Sequence, residues 1–418
     1  MRELAFAFLW LYAFSIPWDA VPIPAAGTAS RGIGILALGC GLLAVVISGR
    51  MRKVGLILWL GMAFTVVSAL SLFWTVSLPL TLQRVITDAQ LVGSMWLIRE
   101  FARSEEQVHS LLVACCFGCF VPIANVLHNF VTGRSIGYDR FSSTGAVPLD
   151  PNDLGLTLAL AMPMAWQLMR RRSRWVGLVL KLYFVVAPLV ILLTGSRGAF
   201  VTGLIALSIV PLTLQWSSPR SIAGVFAAAV VIGVMTVQFV PESIWARLST
   251  IQEEISQRDT LSLSGRVEIW RAGLSVAVEN PLLGAGAGAY PVAIDSVARR
   301  SAAAHNTYIA VLAEQGLLGF AVFVGLLAAG AWTISRLPSQ DRLLWMVVGF
   351  CWAIGGLSLN WEARKLTWLL FGFLAAQSGA RTDPYRIPEG AAEQKPGRPL
   401  RRLDVRPELP SQAFPQYR

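Results

Sequence analysis

Charge is what this sequence has least of. Only 14% of its 418 residues are Asp, Glu, Lys or Arg, against about 25% in a soluble domain. That scarcity excludes a disordered chain, a coiled coil and an ordinary soluble enzyme. Histidine is limited to three residues and cysteine to five. Cys116-x-x-Cys119 has the spacing of half a zinc site, but no second half follows. His109 and His128 lie about two turns or more away along the same predicted helix, so small packing residues are the better reading of these cysteines. A dinucleotide fingerprint is missing too. Gly284-x-Gly286-x-Gly288 has the wrong spacing and no βαβ unit around it, and reads as a turn that lets backbones approach closely.

Apolar residues are what the chain has in abundance: 55% hydrophobic, with a mean hydropathy of +0.59. A membrane-spanning helix needs about 20 mostly apolar residues. Apolar stretches fall at 4–16, 32–48, 54–74, 77–98, 107–130, 152–169, 175–194, 199–216, 221–240, 307–334, 342–359 and 365–378. The expected fold is therefore an all-α integral membrane protein of about 12 transmembrane helices. Basic clusters mark cytoplasmic loops. Starting with the N-terminus inside, strict alternation places Arg50, Arg52 and Lys53, Arg99 and Arg103, Arg170 to Arg174, Arg220, Arg336 and Arg342 all on that side. Residues 1–29 also admit a signal-peptide reading, against which the lack of basic residues beyond Arg2 argues. Loop 241–304, between the ninth and tenth spans, is the only long one and is expected as a small helical extracytoplasmic domain. Its segment 242–256 has the apolar spacing of a helix lying on the membrane surface, and a second helix is expected from Arg266 to Glu279. Residues 1–378 form the membrane domain. The Pro- and Arg-rich stretch 379–418 is expected as a disordered cytoplasmic tail, which contributes to the net charge of +11 without implying nucleic acid.

Against that background a few polar residues stand out. Arg84 and Asp88 are four apart within a span, where charge is costly and faces the bundle interior. They read either as a substrate or proton path or as a structural ion pair. Thr194-Gly195-Ser196-Arg197-Gly198 is a tight outer turn presenting a guanidinium whose fork fits phosphate or carboxylate. Arg266 opens a helix after Ser264-Gly265, a place that suits an anion; Arg271 follows five residues later, near but not on the same face. His305 begins the tenth span and is suited to proton transfer near neutral pH. Taken singly, each has an ordinary structural reading: a snorkelling arginine, a helix face paired with Glu268, a capping histidine. Alternation nevertheless puts Arg197, Arg266 and His305 on one membrane face. Two cations and an acid/base group facing one compartment fit an anionic headgroup and an attacking hydroxyl.

The segment His305-Asn306-Thr307-Tyr308, continued by Leu312-x-Glu314-x-Gly316-Leu317-x-Gly319, resembles the hallmark of O-antigen ligases and related polymerases. Gly265-Arg266 with Trp270, Asn280-Pro281, Ser196-Arg197-Gly198 and Pro151-Asn152-Asp153-Leu154-Gly155 are similar to further elements of that family, over roughly residues 140–330. The resemblance implies a metal-independent glycosyltransferase without cofactor in the bacterial inner membrane, its site facing the periplasm. Its donor would be a glycan on undecaprenyl pyrophosphate. Its acceptor would be a hydroxyl of lipid A–core in a ligase of lipopolysaccharide biosynthesis, or of a second lipid-linked glycan in a polymerase. A Ser or Thr acceptor, as in protein O-glycosyltransferases, is a further family activity. Carried over, Arg197 and Arg266 bind the pyrophosphate, His305 activates or positions the acceptor hydroxyl, and Asn306 and Tyr308 shape the site, to which Arg271 and Arg84 are added as neighbours. The competing reading, a transporter for a lipid or sugar, predicts two similar halves, and no repeat relates residues 1–200 to 201–400.

Overall fold

A computed structural model describes residues 1–19, 22–23, 27–136, 140–143, 149–171, 173–214, 218–246 and 266–380. All twelve apolar stretches fold as helix within these residues. In chain order the helices are α1 (Arg2–Ser15), α2 (Ala29–Ser48), α3 (Leu56–Leu70), α4 (Leu78–Phe101), α5 (Glu105–Gly118), α6 (Phe120–Val131), α7 (Pro151–Leu168), α8 (Arg174–Leu193), α9 (Arg197–Leu207), α10 (Ile209–Thr213) and α11 (Pro219–Phe239). After a gap in the described residues come α12 (Arg266–Glu279), α13 (Tyr290–Ala293), α14 (Asp295–Ala298), α15 (Thr307–Ser335), α16 (Ser339–Gly356) and α17 (Lys365–Ala380). A two-residue hairpin, Pro22–Ile23 with Gly27–Thr28, is the only strand pairing among the described residues. Among the described residues six helical segments are long and apolar enough to cross a membrane: Ala29–Ser48, Leu56–Phe73, Glu105–Val131, Arg174–Leu193, Pro219–Gln238 and Thr307–Ser335. The others are shorter, or carry charge as α4 does.

Three expected spans are broken. Residues 107–130 divide at Cys119 into α5 and α6, with Pro122 in the first turn of α6. The eighth apolar stretch, 199–216, divides at Ser208 into α9 and α10. The break in α15 is sharper: Gly316 has φ 61° and ψ −164°, outside any helix. The predicted turn 284–288 explains this break. Ala285 N–H donates to Ala313 O and Gly286 N–H to Glu314 O, at 2.9 and 2.8 Å. Beyond the break, Leu317 N–H reaches Pro281 O at 2.8 Å. Backbone groups that the broken helix would leave orphaned in an apolar interior are thus satisfied by the glycine-rich turn. A Cβ on Gly316 would lie 2.5 Å from Leu282 O, so only glycine allows this approach.

The bundle packs through small residues, as expected where lipid removes the hydrophobic drive between helices. α7 and α9 lie so close that a side chain at Gly155 would overlap Ala199. α1 packs on α2 and α5, α3 on α4 and α15, α4 on α17, and α16 on α7 and α9. Cys115, Cys116 and Cys119 are buried in this interior. Two sets of loops gather at different places. In one, Arg171 bridges Glu105 (3.0 Å) and Asp341 (3.3 Å), while Arg2 meets Ser48, Arg50 O and Glu100. In the other, Lys365 pairs with Asp19 and Ser30, and Trp74 donates to Leu283 O. The described residues belong to one unit, Met1–Thr382; a second, Asp383–Arg418, lies outside them. The expected tail therefore lies outside the described residues beyond Ala380, as does most of the surface helix expected at 242–256, of which 242–246 is helical with Ile244 buried.

Candidate active site

The site residues stand at chain breaks between helices. Arg197 is the first residue of α9. Gly195 turns the chain with φ 57°, and Ser196 caps the helix by accepting Ala199 N–H at 3.2 Å. Arg197 is thus held half-buried at a helix start. Arg266 is the first described residue of α12; the Ser264-Gly265 expected before it lies outside the described residues. Its guanidinium donates to Ser358 O at 3.2 Å; the alternative reading, a helix face paired with Glu268, is not made among the described residues, and Glu268 is exposed. The turn at Arg197 meets the same residue, since a Cβ on Gly198 would come 2.9 Å from Ser358 Oγ. Arg197 and Arg266 are therefore brought together around the loop that joins α16 to α17.

His305 completes the group. Its backbone has φ 47°, a left-handed conformation that costs a non-glycine residue roughly 1–2 kcal/mol and is concentrated at functional sites. Neighbours on both sides enforce it. Trp270 Nε1–H holds Ala304 O at 2.8 Å. Asn306 caps α15, its Oδ1 accepting Tyr308 and Ile309 N–H at 3.0 and 3.1 Å, and its Nδ2 donates to Leu357 O. Asn306 N–H reaches Asn360 Oδ1, and Thr307 Oγ1 donates to Leu359 O at 2.7 Å. The imidazole is half-buried. Burial and then the nearby Arg266 hold its pKa below the ordinary range, against the opposing pull of Asp150 and Asp153. Burial and then Arg197 lower that of Arg266 in turn. The Ser358 contacts of Arg266 and of the Arg197 turn, with the hydrogen bond from Trp270 to Ala304 O and that from Asn306 to Leu357 O, gather the two arginines and the histidine into one neighbourhood.

The remaining predicted residues are placed differently. Tyr308 donates its hydroxyl to Ala353 O at 3.0 Å and lines an apolar groove with Trp352 and Phe371. Arg271 is exposed on α12. Of the two readings of Arg84, the ion pair with Asp88 is not the one the structure makes. Arg84 bridges Glu314 (3.1 Å) and Glu362 (2.9 Å) instead, and Asp88 accepts from Ser68 Oγ at 2.7 Å. Helical spacing suggested the local partner; carboxylates 230 and 278 positions away won because all three groups are buried together. Glu314 Oε2 also accepts Gly288 N–H at 2.8 Å. Arg84 thus ties the half-helix that carries His305, the glycine-rich turn and loop 357–364 into one frame.

Loop 357–364 is what sequence reasoning missed. It supplies Ser358 O to Arg266 and Asn360 to the His305 turn. Trp361 Nε1–H donates to Asp153 Oδ1 at 2.8 Å, and Arg364 pairs with Asp153 Oδ2. Arg140 was missed as well: it holds Thr194 O at 2.9 Å and Asn152 Oδ1 at 3.2 Å, bracing the Arg197 turn. The Pro151-Asn152-Asp153 element is the sequence signal for the loop contact, since Asp153 is the partner of both Trp361 and Arg364.

Fold and site together describe an all-α membrane-embedded protein with a half-buried, cation-lined histidine site where four helix ends meet. The O-Antigen ligase family matches residues 182–324, which span Arg197, Arg266 and His305, and over that segment the chain is O-antigen ligase-like. No curated protein matches the chain.

Proposed function

We propose that this protein transfers a glycan from undecaprenyl pyrophosphate to an acceptor hydroxyl, as an O-antigen ligase of lipopolysaccharide biosynthesis. The observation that carries the reading is the meeting of Arg197 and Arg266 beside His305, with no carboxylate bonded to Arg266 among the described residues. In the reaction the acceptor oxygen bonds to the anomeric carbon of the donor sugar. The bond from that carbon to the phosphate oxygen breaks, and its electron pair leaves on the pyrophosphate. Charge grows on that leaving group, where two preorganised guanidiniums stabilise it most. We assign this countercharge to Arg197 and Arg266 rather than to a divalent ion. The acceptor proton passes to His305, whose depressed pKa keeps the imidazole neutral and able to accept it near pH 7. Asn306 holds the histidine turn, Tyr308 borders the apolar groove beneath it, and Arg84 acts through Glu314 and Glu362. Exposed Arg271 is placed at the margin.

In this reading twelve spans within residues 1–378 put the His305 end of the bundle at the periplasmic face of the inner membrane and residues 379–418 in the cytoplasm. The part of loop 241–304 from Arg266 onward then borders the site. Its position before the tenth span favours a ligase over a polymerase. The test is transfer from a purified lipid-linked donor to lipid A–core by His305→Ala, Arg197→Ala and Arg266→Ala at matched expression, with and without EDTA. Loss of transfer in all three, indifferent to EDTA, is expected. Normal transfer in any of the three would remove that residue from the mechanism, and normal transfer in all would end the assignment. Cytoplasmic labelling of cysteines placed between 245 and 300 would overturn the orientation.

A further inference from the structure

α11 is the least supported helix of the bundle. It packs on α8, and none of its apolar span is buried. Between it, the C-terminal end of α7, the middle of α8 and the segment around α10 lies a cavity of about 800 Å³. Its walls include Phe184, Leu207, Val225 and Ile232, and Gly224 of α11 has nothing within 4 Å of where a Cβ would stand. Its lining also holds Arg170, Lys181 and Arg220, and no Asp or Glu lines it among the described residues. Arg170 is fixed by donating to Thr213 O at 3.2 Å, next to Trp166, which bonds the Thr213 hydroxyl. Lys181 and Arg220 are exposed.

Protein interiors do not keep voids of this size. In a bilayer this one is open to hydrocarbon, and chains enter it. Three exposed cations in the lining, with no acidic residue beside them there among the described residues, select the head group: a phosphate. We propose that the cavity is a binding site for an anionic glycerophospholipid, with its chains between α8 and α11 and its phosphate held by Lys181 and Arg220 with Arg170. Basic pockets between transmembrane helices recognise such lipids in this way. Lys181 lies thirteen residues before Thr194 on α8, about 20 Å along the helix from the Arg197 turn. The site is therefore separate from the one occupied by the reacting pyrophosphate, and the proposal stands without the transferase reading. The bound lipid would supply the packing that α11 lacks, on the helix that leads into the loop before Arg266.

Native mass spectrometry of the full chain, stripped of lipid in detergent, tests this. Phosphatidylglycerol should bind more tightly than phosphatidylcholine, by about fivefold per cation and so roughly 25-fold for Lys181 and Arg220 together. The double variant Lys181→Gln/Arg220→Gln should erase most of that preference. Both side chains are exposed, so its fold should be kept. Gly224→Leu should fill the cavity and lower occupancy by both lipids without lowering the melting temperature. Equal binding of the two lipids, or a preference unchanged in the double variant, would overturn the proposal. Displacement of phosphatidylglycerol by inorganic phosphate, or by undecaprenyl phosphate at equal concentration, would do so as well.

Discussion

Replacing Arg84 by Met should expose how the site is held. The guanidinium is 12% exposed and bridges two carboxylates that are each 3% exposed, at 3.1 and 2.9 Å. Methionine keeps the length of the side chain and removes the charge, leaving Glu314 and Glu362 facing one another in an apolar interior. Removing one member of a buried ion pair costs about 3–5 kcal/mol, most of it from the stranded charge rather than the lost attraction. For a unit of this size the unfolding entropy is roughly 0.8 kcal/mol per kelvin on the soluble-protein scale, so the melting temperature should fall by about 4–6 °C. Helices persist in unfolded membrane proteins, which makes the true entropy smaller and the shift larger. The assay is thermal unfolding in detergent, run beside Arg84→Met/Glu314→Gln/Glu362→Gln. The triple variant carries no stranded charge and should recover most of the loss. If the single variant melts within about 1 °C of the parent, or the triple variant melts as low as the single, the charge cluster is not what holds the frame. The same pair of variants separates the two readings of Arg84 left open by the sequence. A proton path would lose activity in the triple variant as fully as in the single; a structural clamp would regain it.

Three further outcomes follow from the site. His305 should titrate below the ordinary histidine range in NMR of ¹³C-histidine-labelled protein. Arg266→Gln removes a cation that disfavours the imidazolium, so the pKa should rise and the acid limb of kcat/KM should move to higher pH; an unmoved His305 titration would mean that the two groups are not neighbours. Gly316→Ala places a Cβ 2.5 Å from Leu282 O at φ 61°, and should destabilise far more than Gly49→Ala, which has φ 58° and open space and so bears only the roughly 1–2 kcal/mol of left-handed strain. Equal melting of the two would refute the close approach of the glycine-rich turn to α15. Asn306→Ala removes the cap of α15 at a cost of about 1 kcal/mol. Its effect on kcat should exceed its effect on KM for the donor, because it displaces His305 rather than the arginines; the reverse split would place Asn306 on the pyrophosphate.

The helices were legible because a bilayer leaves few alternatives. Apolar length alone marked all twelve stretches, and the arrangement of basic loops anticipated that Arg197, Arg266 and His305 would share one neighbourhood. The breaks were less legible. Pro122 hinted at one, but nothing local marks Gly316 as non-helical; the cause lies thirty residues earlier, in a turn whose N–H groups satisfy the broken strand of carbonyls. Arg84 failed for a similar reason. Helical periodicity offers Asp88 as a partner, yet burial couples groups from any part of the chain, and Glu314 and Glu362 were closer in space. Loop 357–364 gave little signal: part of what it contributes is backbone carbonyls, which every sequence contains, and its side chains Asn360, Trp361, Glu362 and Arg364 meet partners that lie far away in sequence.

That loop also bears on what the family match can mean. The matched segment ends at residue 324, so it holds both arginines and the histidine but none of the groups that fix their spacing from the other side. Ser358 O binds Arg266, Asn360 binds the His305 turn, and Trp361 and Arg364 bind Asp153. Arg84, from the fourth helix, secures Glu362 within the same loop. A difference of an ångström in the placement of reacting groups can cost a factor of about a hundred in rate. The matched segment therefore carries the charges, while their geometry depends on residues before and after it. Exchanging only residues 182–324 between two such proteins should give a folded but slow enzyme, and restoring loop 357–364 with its own partner at position 84 should recover the rate without changing the arginines or the histidine.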